Sequence, residues 1–212
     1  MDLQVKDNNG KVVGSVAVSD KVWRAESNDA LLHQVIVAQQ ANQRRGTQDT
    51  QTRGEVSFST RKLRPQKGGG TSRQGSRKSP TRVGGGVAHG PHPRSYRQRL
   101  PKKMRRQALR VALSEKVRDE AIIVLDLLKL DTPKSSVIRD IVKAFELKGR
   151  TLIVIGSTDH NVVKSASNIP GVEIQAASLM NPLETVSVPN LIITQEALET
   201  IDTLWGADGV NE

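Results

Sequence analysis

Apolar residues recur along this chain with more than one period, and each period predicts a different element. Near the N-terminus, Leu3-Gln4-Val5 and Val12 to Val18 alternate weakly around the turn sequence Asp7-Asn8-Asn9-Gly10, which predicts a small β-hairpin. Ser27, Asn28 and Asp29 offer capping oxygens to a helix starting at Ala30. Its rows Leu31/Val35 and Leu32/Ile36 form one apolar face, which runs out in Gln39 to Gln43 before Arg44-Arg45-Gly46 ends the helix. A second helix is expected from Pro101, a residue favoured in a first turn. Met104, Ala108 and Ala112 lie on one of its rows, and Leu109, Leu113 and Val117 on another.

From Ala121 the texture changes. Residues 121–125, 151–155, 172–176 and 191–194 are short runs of mainly apolar residues and read as buried strands. Helical patterns separate them. One has Thr132 as cap, Pro133 in the first turn, an apolar face of Val137, Ile138, Ile141, Val142 and Phe145, and Gly149 as stop. Others run from Asp159 to Asn168, from Pro182 to Val186, and from Gln195 to Trp205 with Thr194 as cap. Apolar strands alternating with helices imply a parallel sheet covered on both faces. The expected fold class is α/β: a doubly wound, mainly parallel sheet with helices on both faces.

Between the two N-terminal helices this patterning fails. From Lys62 to Arg99 only Leu63, Val83, Val87, Ala88 and Tyr96 are apolar or aromatic. Ordering a residue costs about 1–2 kcal/mol of backbone entropy, which five such side chains cannot offset. The segment should be disordered in isolation. The expected organisation is a globular α/β domain formed by residues 1–43 and 101–212, with an extended basic, glycine-rich loop over 44–100 inserted between two helices.

Charge gives that insertion a purpose. The net charge of +10 hides an asymmetry. Residues 44–106 hold eighteen Lys and Arg against Asp49 and Glu55, a net of +16, while the remainder nets −6. The candidate phosphate-binding residues are Arg44, Arg45, Arg53, Arg61, Lys62, Arg64, Lys67, Arg73, Arg77, Lys78, Arg82, Arg94, Arg97, Arg99, Lys102, Lys103, Arg105 and Arg106. Arg outnumbers Lys among them, and its planar fork suits bidentate phosphate contacts. Cations at 102, 103, 105 and 106 crowd a helix N-terminus, where they oppose the dipole and favour a polyanionic partner. Abundant Arg with only five aromatic residues points to RNA read by shape and backbone rather than by splayed bases.

Other chemistries lack their parts. Without cysteine there are no disulfides, thiolate metal sites or Cys nucleophiles. His89-Gly90-Pro91-His92 offers two imidazoles but no further ligand, so no metal is expected. No apolar run reaches membrane-spanning length, the first residues lack a signal core, and no basic amphipathic helix offers a membrane face; the cytoplasm is expected. A nucleotide-dependent α/β enzyme with a basic nucleic-acid-binding insertion is the alternative. Gly68-Gly69-Gly70 and Gly84-Gly85-Gly86 both lack the last glycine of G-x-G-x-x-G, however, and neither opens a helix after a strand. No Walker-type loop or Ser/His/Asp set is present, so neither catalysis nor a cofactor is expected.

With these residues in view, the chain resembles the bacterial large-subunit ribosomal protein four family. The resemblance rests on Ala30-Leu-Leu-His-Gln-Val35, Arg45-Gly46-Thr47, Thr52-Arg53-Gly54-Glu55-Val56, Gln66-Lys67-Gly68, Gly75-Ser76 and Ser79-Pro80. It continues through Gly84-Gly85-Gly86-Val87, Gly90-Pro91, Pro93-Arg94 and Lys102-Lys103-Met104-Arg105-Arg106-Gln107-Ala108-Leu109. It implies a Rossmann-like domain on the ribosome surface and a long loop threading into large-subunit RNA. It also implies an early role in assembly, neighbouring ribosomal proteins as partners, and a loop tip in the peptide exit tunnel beside the nascent peptide. By position that tip is Arg64, Pro65, Gln66, Lys67, Gly68, Gly69, Gly70 and Thr71, with Gln66 and Lys67 nearest the lumen. The chain departs from the family's usual tip at Arg64, where Trp is usual, and at Thr71, where Arg is usual.

Overall fold

In the computed structural model, which describes residues 1–206, the predicted hairpin is present and belongs to a larger sheet. Strands β1 (Asp2–Lys6) and β2 (Val12–Ala17) pair antiparallel. The Asp7 amide donates to the Lys11 carbonyl and the Gly10 amide to that of Asp7, with Gly10 in the left-handed region at φ 83°. Along its other edge β1 runs parallel to β3 (Ile122–Leu125). Three further strands are all parallel: β4 (Thr151–Ile155), β5 (Val172–Ala176) and β6 (Asn190–Thr194). The sheet order is β2-β1-β3-β6-β4-β5. Here lies the reason for the unbroken apolar runs. Successive side chains point to opposite faces, and both faces of the inner strands are buried.

Val124, Leu152, Val154, Leu191 and Ile193 meet Trp23, Leu109, Leu113, Leu198 and Ile201 in one cluster. Leu125, Ile153, Ile155 and Ile192 meet Ile138, Ile141 and Val162 in another. The first cluster draws on α1 (Asp20–Trp23), α3 (Lys102–Arg118) and α7 (Gln195–Gly206); the second draws on α4 (Ser135–Ala144) and α5 (His160–Ala166). Helix α2 (Asp29–Gln43) packs Leu32 and Val35 against Ala108, Val111 and Ala112. Helix α6 (Pro182–Ser187) is capped by Asn181, which accepts from the Glu184 amide at 2.9 Å. No helix among the described residues is long and apolar enough to cross a membrane.

Two boundaries differ from expectation. Helix α4 begins at Ser135, past the Thr132-Pro133 signal, because Asn161 donates to the carbonyls of Leu130 (3.0 Å) and Asp131 (3.2 Å) and holds the approach in an irregular conformation. Its end is closed by Glu146 at φ 51° rather than by Gly149, with the Leu147 amide returning to the Val142 carbonyl. Helix α1 went unpredicted, since four residues cannot display a helical period. Yet it delivers Trp23, which is buried and donates through Nε1 to Asp202 Oδ1 at 2.8 Å. Asp202 Oδ2 also accepts from the Ser19 amide at 3.1 Å. Buried Ser114 joins the same region to α3, accepting from the Ala25 amide at 2.8 Å and donating to the Val22 carbonyl at 3.0 Å.

Contacts divide the chain into two compact units, residues 1–40 with residues 99 onward, and residues 41–98. Asp202→Ala would orphan a buried indole N–H and should destabilise the first unit by about 1–3 kcal/mol. Urea denaturation followed by Trp fluorescence measures this, and an unchanged midpoint would contradict it.

Candidate nucleic-acid interface

Beyond the end of α2, residues 44–98 contain neither helix nor strand, and Val56 is the one buried apolar side chain between 41 and 98. Order comes instead from the chain folding back along itself. Gln98 donates its amide to Asn42 Oδ1 at 2.7 Å and accepts from Asn42 Nδ2 at 3.2 Å. The Arg94 amide donates to the Gly46 carbonyl, the Val87 amide to that of Gln51, and the Leu63 amide to that of Gly75. Thr50 Oγ1 donates to the Pro91 carbonyl at 3.2 Å. Every one of these pairs is centred near Gly69-Gly70. Two limbs therefore run side by side, and residues 61–73 at the turn are all exposed.

The glycines divide into two kinds. A Cβ on Gly46 would lie 1.9 Å from the Arg94 carbonyl oxygen, and one on Gly86 would lie 2.3 Å from the Arg53 amide nitrogen. Gly85 and Gly90 are similarly closed, against Ser79 and Thr50. At Gly46, Gly86 and Gly90 glycine lets the limbs approach each other, and at Gly85 it lets the chain turn back against Ser79 of its own limb. At the turn, Gly68 and Gly70 have open space and positive φ, so they serve chain reversal.

The two carboxylates of the segment are both committed locally. Asp49 Oδ1 accepts from the Thr50 amide at 2.8 Å and lies 3.0 Å from His92 Nδ1. Glu55 accepts from the Thr52 amide (2.7 Å) and hydroxyl (2.9 Å), which hold its carboxyl below the usual range. Among the described residues, no Lys or Arg from 44 to 106 forms an ion pair with a carboxylate. Fifteen of the eighteen are exposed, and Lys78, Arg82 and Arg106 are half-buried.

The structure brings some of these cations together and leaves others apart. Arg44, Arg45, Arg94 and Arg97 line one hollow of about 530 Å³. Arg64, Arg77 and Arg82 line a second of about 460 Å³, and Arg61, Lys62 and Arg64 a third of about 490 Å³. Arg53, Lys67, Arg73 and Lys78 line none of these. Arg99, Lys102, Lys103, Arg105 and Arg106 lie in the other unit, the last four in the first turns of α3. That helix has no acidic residue in its first turn and no side-chain cap, so each exposed cation there costs about 0.3–1 kcal/mol against the dipole. Missed from the sequence was the work of the aromatics. Phe58 lies under Arg77 at 5.4 Å, and the Tyr96 ring contacts both Arg44 at 3.7 Å and Arg94 at 4.6 Å. The signal available was Tyr96 sitting among Arg94, Arg97 and Arg99 in an otherwise ring-poor segment.

The alternative enzyme reading meets its own test at the carboxyl ends of β3, β4 and β6, where open α/β sheets bind ligands. The cavity there is about 70 Å³, and its charged lining is Asp126, Asp159 and Glu196 with the single cation Lys129. Gly156 is already crowded by Glu196, 2.8 Å from where a Cβ would stand. Ligand pockets run to about 300–1,000 Å³, and three carboxylates against one lysine leave a net negative lining that disfavours phosphate. No group of His, Asp or Glu among the described residues is placed to hold a metal ion.

An α/β scaffold bearing a polycation that forms no carboxylate ion pair among the described residues has the character of a polyanion-binding protein. Comparison with known proteins makes this particular. The family model described as Ribosomal protein L4/L1 family matches residues 16–204. Large ribosomal subunit protein uL4 of Dehalococcoides mccartyi (strain 195) is 43% identical over 206 residues, 97% of this chain and 98% of the relative. The proteins of that name from Symbiobacterium thermophilum and Clostridium acetobutylicum are each 43% identical over 96% of this chain, covering 99% and 98% of their own lengths. The chain belongs to the ribosomal protein L4/L1 family, whose members are structural proteins rather than enzymes.

Gly86→Ala should force the limbs apart at a cost of about 1–3 kcal/mol, because backbone cannot yield as a side-chain end can. Gly69→Ala, with open space and ordinary φ, should be silent. Limited proteolysis of residues 41–98 reads both: faster cleavage in the first variant only is the expected pattern.

Proposed function

We propose that this protein holds large-subunit ribosomal RNA through residues 44–106 and that its turn, Arg64 to Thr71, lines the peptide exit tunnel beside the nascent peptide. Family membership makes it a structural constituent of the large ribosomal subunit, working in the cytoplasm on the ribosome. The observation that carries the RNA-binding reading is the eighteen-residue polycation with no carboxylate ion pair among the described residues. A charge array so arranged is stabilised by phosphates and their released counterions.

Within this reading the scaffold, residues 1–43 and 101–212, is a Rossmann-like doubly wound domain. The six-strand order and the hydrophobic clusters on both sheet faces support that assignment. Residues 44–100 are the extended loop, supported by pairings centred on Gly69-Gly70 and by the exposure of every residue from 61 to 73. The basic limbs neutralise RNA phosphates, while Gln66 and Lys67 face the tunnel lumen. Neighbouring large-subunit proteins complete its surroundings, and binding falls early in subunit assembly. The test is sedimentation of the tagged full-length protein from cell lysate. Co-migration with large subunits and their precursors is expected; recovery only in the ribosome-free fractions would overturn the assignment.

A further inference from the structure

Tyr96 is the chain's one tyrosine, and it stands where the limbs leave the helices. Its ring contacts two guanidiniums, Arg44 at 3.7 Å and Arg94 at 4.6 Å from the centroid. The two charges are thus at most 8.3 Å apart, about one Debye length at physiological ionic strength, and they repel each other. Cation–π attraction to one shared ring offsets part of that repulsion. Hydrogen bonding from Arg94, with the charges of Arg44 and Arg94, holds the Tyr96 phenol below its ordinary value.

Arg44 over the ring face keeps its in-plane N–H donors, while Arg94 gives one donor to the Tyr96 phenol and keeps the rest. Arg44 and Arg94 have no carboxylate partner among the described residues. Their surroundings are a hollow of about 530 Å³, shared with Arg45 and Arg97 and edged by Thr47 and Ser95, with no acidic group in its lining. The hollow is held open by backbone. Gly46 accepts from the Arg94 amide at 3.1 Å and has no room for a side chain against the Arg94 carbonyl. Contact with the shared ring restrains two rotamer-rich side chains before any ligand arrives, which lowers the entropic cost of engaging one.

We propose that Tyr96 is a positioning residue that sets Arg44 and Arg94 as a two-guanidinium clamp for an RNA backbone phosphate. This rests on the RNA-binding reading above and adds to it a specific, preorganised site in which an uncharged residue governs charge recognition. Arg45 and Arg97 enlarge the clamp; the ring decides its geometry.

The test measures affinity of the full-length protein for a large-subunit ribosomal RNA transcript across a salt series. Wild type, Tyr96→Leu, Tyr96→Phe and the double variant Arg44→Gln/Arg94→Gln are compared. Each phosphate contact contributes roughly 0.7–0.9 to the log–log salt slope. The double variant should lose about one such contact. Tyr96→Leu should flatten the slope similarly and weaken binding about tenfold, although it removes no charge. Tyr96→Phe keeps the stacking face and should stay within about threefold of wild type with the wild-type slope. A Tyr96→Leu protein with wild-type affinity and slope would overturn the clamp while leaving RNA binding intact. So would Tyr96→Phe falling as far as Tyr96→Leu, because the ring would then not be the positioning element. Absence of binding by wild type would overturn the parent reading instead.

Discussion

The organising constraint is uncompensated positive charge. Eighteen cations over residues 44–106 face two carboxylates, and the structure engages both of those elsewhere: Asp49 with the Thr50 amide and His92, Glu55 with Thr52. Like charges within a Debye length raise the energy of any compact arrangement. The free chain can lower this only by stacking guanidiniums on its few rings or by spreading them into solvent, and it does both. In the function proposed above, RNA phosphates supply the missing counter-charge, which makes ligand and segment complementary without any base-specific contact.

Such a segment cannot rest on a hydrophobic core, and Val56 is the single buried apolar side chain there. Its order is of another kind. Backbone pairs join the limbs, and Gly46, Gly85, Gly86 and Gly90 allow separations that any Cβ would forbid. The α/β unit is built by the opposite rule, with strands buried on both faces and Trp23 locked to Asp202. Conventional burial thus supplies stability in one unit, leaving the other to be composed for its partner. The cations at the start of α3 belong to the stable unit, where their cost to the helix is tolerated.

Much of this was legible in the residues. The four strands β3 to β6, the hairpin turn and α2, α3, α5, α6 and α7 follow from periodicity and caps, with ends shifted by a few residues at most. What the pattern could not show depends on contacts distant in sequence. The approach to α4 is held by Asn161, thirty residues beyond Asp131, and α1 is too short to display a period. The sequence placed the polycation but not the roles of its other residues. Gly84-Gly85-Gly86 stands out in the sequence only as an incomplete G-x-G-x-x-G, yet Gly85 and Gly86 are close-packing positions. Tyr96 read as a scarce aromatic, yet it organises two arginines across fifty residues of chain. Gly86 and Tyr96 depend on the opposite limb, and Gly85 depends on Ser79 earlier in its own.

The most direct measurement is the salt dependence of affinity between the full-length protein and large-subunit ribosomal RNA. If the cations of residues 44–106 meet phosphates together, the slope of log affinity against log salt is −3 or steeper, since each contact adds roughly −0.7 to −0.9. A slope shallower than about −3 would mean that most of these cations touch no phosphate, and would contradict the account.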